Sequence, residues 1–154
     1  MSLDYLSTLQ SVFLFTIFKL KMHQKDELET VIETDKFIVG KRKDGIIHVF
    51  YKENSVVDIP FQEELIKAHQ EITNKTKSSF IFEADKGVKM TRAARNNATK
   101  IQEEACIGNS VLFVQNRFYQ LIGEFFAQVN KPKENYRFMT DFQAGIAWLN
   151  SLKK

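Results

Sequence analysis

The stretch FEADKGVKMTRAARNNATK, residues 82–100, gathers the side chains whose types and spacing could do chemistry. Asp85 closes an apolar, strand-like run. A carboxylate at the C-terminal end of a parallel strand stands where α/β proteins bind ligands. From Lys86 to Gln102 the chain carries five cations, Lys86, Lys89, Arg92, Arg95 and Lys100, and no acid. Arg92 and Arg95 fall beside a helix start predicted at Thr91, where free N–H groups and basic side chains together favour an anion. That chemistry suits a phosphate, a lipid headgroup or the carboxylates of a partner. The plainer alternative is a solvated basic face, partly paired with Asp85, Glu103 or Glu104. Gly87 is expected to supply a turn with positive φ.

Thr91 has two readings. Its hydroxyl can cap the helix, an ordinary structural role. It is also the one hydroxyl between Lys86 and Ala94, and a phosphate there would place negative charge at a helix N-terminus, where it is favoured. Asp85 as a catalytic acid would need a titratable neighbour and a shifted pKa, and the pattern predicts neither. A role in ordering the loop fits it better.

Other reactive residue types offer little. Cys106 is the sole cysteine, and its neighbours Ala105 and Ile107 suggest a small buried hydrophobe. His23, His48 and His69 have no metal-ligand spacing, so neither a metal nor another cofactor is expected. The phosphate-binding, dinucleotide, nucleophile-elbow and zinc-protease signatures are absent. Trp148, beside Leu149, reads as packing.

The elements that must position these residues follow from periodicity. Thr30–Val39 reads as a strand, Asp44-Gly45 as a hairpin turn, and Ile46–Tyr51 as the returning strand. Asp58 caps a helix with Pro60 in its first turn, and Phe61, Leu65, Ala68 and Ile72 share one face. SSFIFEA, residues 78–84, is a buried strand. From Thr91 a helix is predicted with Ala94, Ala98, Ile101 and Ala105 inward. SVLFV (110–114) is another strand. A helix from Asn116 turns Phe118, Leu121, Ile122, Phe125 and Val129 inward and ends at Lys131-Pro132. YRFMT (136–140) is the last strand, and Thr140 with Gln143 forms a capping box for a helix burying Phe142, Ile146 and Leu149. The expected fold is α/β: a single-wound (βα)4 unit with an N-terminal antiparallel strand and a mostly parallel five-stranded sheet.

The N-terminal segment adds a helix to this plan. YLSTLQSVFLFTIF, Tyr5–Phe18, is uncharged but short of the roughly 20 residues needed to span a bilayer. It lacks the basic start of a secretory signal and the basic face of a surface anchor. Val12, Phe13, Leu14, Phe15, Ile17, Phe18 and Leu20 point in nearly every helical direction, so the helix must be buried on more than one side. The strands FIF and VLF are apolar on both parities, so both sheet faces need cover. If the crossover helices collect on one face, the N-terminal helix is the natural cover for the other, in cis or from a second subunit. The chain therefore divides into residues 1–24, an apolar helix, and 25–154, the α/β domain. Met22 is also a possible start of a shorter protein.

The bulk numbers agree with one domain. The chain has 154 residues, 44% apolar and 27% charged, within the range of ordinary globular proteins. Fourteen phenylalanines promise a bulky aromatic core. A net charge of +3 is too mild to argue for nucleic acid.

The order of elements, with FEADKGVKMTRAAR, resembles the STAS-like fold of anti-sigma-factor antagonists and sulfate-transporter C-terminal domains, related in architecture to CRAL-TRIO lipid-transfer domains. It is most similar to small uncharacterised bacterial STAS-like proteins, through DGIIHV with Tyr51, DKGVKMTRAAR, and the closing KP, YRFMTDF and AGIAWL. The likeness covers about residues 30–152. It implies a non-enzymatic, cytoplasmic regulatory or interaction module, and the apolar N-terminal helix favours a homodimer formed through it. The partner or anion surface would be Asp85, Lys86, Gly87, Thr91, Arg92 and Arg95. In the phospho-regulated antagonists this loop carries a serine pair phosphorylated by a partner kinase. Here KGVKMTRAA stands in that place, with Thr91 alone. The alternative is a small apolar-ligand or lipid binder, with FYQLIGEFF and the N-terminal helix walling a pocket.

Overall fold

The computed structural model describes residues 22–115 and 134–153. A 3-10 turn, Lys25–Glu27, leads into β1 (Leu28–Glu33), β2 (Phe37–Arg42) and β3 (Ile47–Tyr51). Then come β4 (Val56–Val57), α1 (Ile59–Thr73), β5 (Ser78–Ala84), β6 (Lys89–Met90), α2 (Arg92–Asn96) and α3 (Ala98–Glu104). The chain continues with β7 (Ile107–Phe113), β8 (Tyr136–Met139) and α4 (Phe142–Ser151). The predicted helices in residues 1–21 and from Asn116 to Lys131 lie outside the described residues.

The main sheet runs β1-β2-β3-β5-β7-β8. The first two pairings are antiparallel and the last three parallel. Among the described residues the main sheet therefore has six strands where five were expected. The run predicted as one strand over Thr30–Val39 folds back on itself at Thr34. The Thr34 hydroxyl oxygen accepts N–H bonds from Lys36 and Phe37, each at 3.1 Å, and makes a tight turn without glycine or proline. The Asp44-Gly45 turn forms as expected, with Gly45 at φ +83°. β4 and β6 form a separate parallel pair beyond the main sheet.

Local rules place α1 well. Asp58 Oδ1 accepts the Phe61 N–H at 2.9 Å, and Phe61, Leu65, Ala68 and Ile72 are all buried. The next helix departs from its expectation. Asn97 divides it into α2 and α3, leaving Ala98 exposed while Ala94, Ile101 and Ala105 are buried. Cys106 follows at φ +58°, half-buried, so it is not the enclosed hydrophobe expected. It occupies the left-handed position just past a helix end that glycine or asparagine usually fills. The last helix is capped by Asp141, whose Oδ1 accepts the Ala144 N–H at 3.0 Å, and not by Thr140.

Strand alternation sorts the core into two faces. Phe37, Val39, Ile47, Val49, Phe80 and Phe82 pack beneath α1, with Ala94, Ile101 and Ala105 from the α2–α3 region. On the opposite face Ile46, Ile81 and Val111 are covered by Phe142, Ile146 and Leu149 of α4. Along its β2–β3 part, Met22 and Leu28 lie against Ile38 and Phe50. The crossover helices α1 and α2–α3 share one face, and the chain's own last helix takes part of the other. The α4 element thus does part of the work assigned to the N-terminal helix.

Candidate functional site

The residues singled out between 85 and 95 form a tied-down loop at the C-terminal ends of β3 and β5. Asp85 is half-buried, and its Oδ1 accepts the Lys86 N–H at 2.8 Å. Lys86 Nζ pairs with Glu53 at 3.0 Å. Backbone bonds stitch the loop to the segment after β3: Asn54 N–H to the Lys86 carbonyl, Lys89 N–H to Ser55 and Thr91 N–H to Val57, each 3.0 Å. Gly87 has φ +72°, as expected, and a Cβ there would stand 2.1 Å from Asn54 Oδ1. No residue with a side chain fits that crossing unchanged.

Thr91 Oγ1 accepts the Ala94 N–H at 3.1 Å, so the hydroxyl caps α2. Arg95 turns back and donates from Nη1 to the Met90 carbonyl at 2.8 Å. Arg92 and Lys89 are exposed. Met90 and Val56, on the paired strands β6 and β4, are 41% and 51% exposed. The helix beginning at Thr91 is only five residues long, and one of its leading N–H groups is already used by the cap. Along this hydrogen-bonded loop the exposed cations Lys89, Arg92 and Arg95 stand near the exposed apolar side chains of Met90 and Val56.

A second group of polar residues lies on the outer sheet face, and sequence reasoning passed over it. Glu83 follows Ile81 on the outer-facing parity of β5, with a side chain 5% exposed. His48 Nε2 lies 3.0 Å from its Oε2, and His23 Nδ1 2.6 Å from its Oε1. The His23 backbone N–H also reaches Oε2 at 3.2 Å. An ionised carboxylate only accepts, so both ring nitrogens carry the proton toward Glu83. Burial alone would raise the Glu83 pKa, but the hydrogen bonds from His48 and His23 outweigh it and hold the carboxyl below its usual range. Burial also dominates at His48 and lowers its pKa, keeping the imidazole neutral, although Glu83 pulls the other way.

Aromatic rings complete this group. His23 stacks on Phe142 at 5.1 Å and 17° and meets the edge of Phe113 at 4.7 Å. Arg42 lies over the same Phe142 ring at 6.0 Å, donates to Gln24 Oε1 at 2.7 Å and pairs with Asp44. His48 and His23 share the Glu83 carboxylate, both reaching Oε2 and His23 alone reaching Oε1, and among the described residues no set of three His, Cys, Asp or Glu side chains is placed to hold a metal ion. Beside the group opens a pocket of about 180 Å³ floored by Met22, Ile38 and Phe50 and rimmed by Lys25, Lys52, Glu53 and Asp85. The signal for this site was present in sequence: one histidine and one glutamate interrupt two otherwise apolar strands.

Comparison with known proteins agrees with this architecture. A family model described as a domain of unknown function, DUF7793, matches residues 41–153. Among solved structures, the crystal structure of an uncharacterized protein from the DUF3478 family, with a SpoIIAA-like fold, from Shewanella loihica PV-4, is similar. Its TM-score is 0.51 at 8% identity, over 78% of this chain and 90% of that one. At that identity the likeness is one of fold, and it is the STAS-like fold that the element order resembled. No curated protein matches. Among the described residues no helix is long and apolar enough to cross a membrane.

Proposed function

The chain belongs to the DUF7793 family, and on that footing we propose that it is a non-enzymatic STAS-like regulatory module that binds a protein partner. The observation that carries this reading is the projection around β4 and β6. Exposed Met90 and Val56 stand among Lys89, Arg92 and Arg95 on a loop held by backbone bonds and a glycine crossing. An apolar centre within a basic rim suits a partner segment that carries an apolar residue flanked by acids. The proposal includes a cytoplasmic homodimer formed through the N-terminal apolar segment. A monomer mass by light scattering at every concentration would remove that part.

The test of the main reading is the double charge reversal Lys89→Glu with Arg92→Glu in the full chain. Proteins cross-linked to the wild type in extract of the source organism should be captured about tenfold less by the variant, with its thermal midpoint unchanged. Undiminished capture of every partner by the folded variant overturns the reading.

A second reading rests on the pocket over Met22, Ile38 and Phe50, whose apolar floor suits a small apolar ligand. Native mass spectrometry that finds an apolar molecule retained by the wild type and lost in Phe50→Glu would favour it. Bare protein in both would dismiss it.

A further inference from the structure

The outer-face group has the form of an occupied binding site. Glu83, itself 4% exposed, presents both carboxylate oxygens to a single residue, His23. The ring N–H takes Oε1 and the main-chain N–H takes Oε2, so the two donors engage the carboxylate side by side, as an amidine edge would. Phe142 lies face to face with the ring and Phe113 closes its edge. An anion under a flat aromatic slot selects a planar, N–H-donating ring and rejects an anionic or acceptor-edged one.

His23 differs in origin from the slot that it fills. It belongs to a strap, Met22–Gln24, that pairs with no strand and leaves through Gln24 in the left-handed region at φ +50°. Its side chain is 46% exposed, against 5% for Glu83 and 0% for His48. Glu83, His48, Phe113 and Phe142 all lie within the family match at residues 41–153, and His23 lies outside it. His48 Nδ1 is buried and finds no hydrogen-bond partner among the described residues.

We propose that Glu83, Phe113 and Phe142 form a binding site for a planar heterocycle with two adjacent N–H donors, of the 2-aminoimidazole class, which His23 fills as an internal stand-in. The Glu83 carboxylate binds the donor edge, and His48 holds that carboxylate in place from β3. Displacement of His23 removes one of the strap's tethers, leaving buried Met22 and the Arg42–Gln24 bond, so ligand occupancy loosens the strap. The site is independent of the projection around Met90.

The probe is 2-aminobenzimidazole, a flat ring with a two-donor edge, with 1-methylbenzimidazole as the donor-poor control. By calorimetry His23→Ala should bind the probe at least tenfold more tightly than the wild type, and His23→Ala with Glu83→Gln should lose that gain. The control should bind no variant comparably. Equal affinity of wild type and His23→Ala, or equal binding of probe and control, overturns the proposal. A measurement on the wild type stands apart from any folding defect of the variant. Saturating probe should speed tryptic cleavage at Lys25 several-fold, and an unchanged rate overturns the proposal equally.

Discussion

His48 and Glu83 meet diagonally across two parallel strands. Their register partners are Ile81 and Phe50, yet the His48 Nε2 and Glu83 Oε2 close to 3.0 Å on the outer face. Residues two positions out of register on one face are within reach of long side chains. The pair places a buried carboxylate in the middle of an apolar sheet, and its cost is offset only while its donors remain.

That dependence has a thermodynamic signature. His48→Leu leaves Glu83 with the donors of His23 alone and is expected to lose about 2–4 kcal/mol of unfolding free energy. Glu83→Leu added to it removes the stranded charge and should recover most of the loss. Urea denaturation of the two variants checks this, and additive losses would contradict it.

His69 sets an acid response. It is fully buried beside Phe80, at 4.7 Å between ring centroids, and burial drives its pKa down to about 3, though the Ala105 backbone draws it slightly upward. Neither ring nitrogen closes a well-formed hydrogen bond among the described residues. The folded state therefore keeps His69 neutral where the unfolded chain would protonate it. Its contribution is complete above a pH of about 6.5 and drains away as pH falls toward 3, by about 1.4 kcal/mol per unit. His69→Leu should flatten the stability profile by that slope between pH 6 and 4. Glu83, with a lowered pKa of its own, acts in the same direction further down the scale, below the usual carboxylate range.

Gly87 should be intolerant of any side chain. Gly87→Ala meets both the positive φ and the Asn54 side chain, and is expected to cost about 1–3 kcal/mol. Asn54, itself at φ +60°, is best changed to glycine: Asn54→Gly beside it relieves the clash without straining position 54, so the double variant should recover part of the loss in thermal melts.

Thr91 can be divided into its two roles by substitution. Thr91→Ala removes the acceptor for the Ala94 N–H and should cost about 1 kcal/mol, whereas Thr91→Asp keeps an acceptor there. If Thr91 serves as a cap, the aspartate variant will match wild type in stability and in partner capture. Capture that changes with aspartate while stability holds would reveal a charge switch.

Local features were readable from the chain itself. Asp58 as a cap, Asp44-Gly45 as a turn, and the buried stripe of Phe61, Leu65, Ala68 and Ile72 each depend on residues within a few positions of one another. The misses share a different cause. The Thr34 turn is made by one hydroxyl, where the usual glycine or proline is lacking. Asn97 breaks a helix that its alanine spacing would continue. Among candidate site residues, the loop from Asp85 to Arg95 was visible because it is contiguous. The group of His23, His48 and Glu83 was not, because its members are 25 to 60 residues apart in sequence and meet only once strands pair. A histidine and a glutamate set among apolar residues of two buried strands were the available clue.

The position of α4 has a consequence for biogenesis. Residues 142–151 follow every strand of the main sheet in the order of synthesis, yet they supply the cover for Ile46, Ile81 and Val111. Until α4 emerges, Ile46, Ile81 and Val111 lack the cover that it gives them. The inner layer under α1 can assemble early, while this part of the outer layer waits for α4, and apolar surface left open in that interval is prone to aggregate.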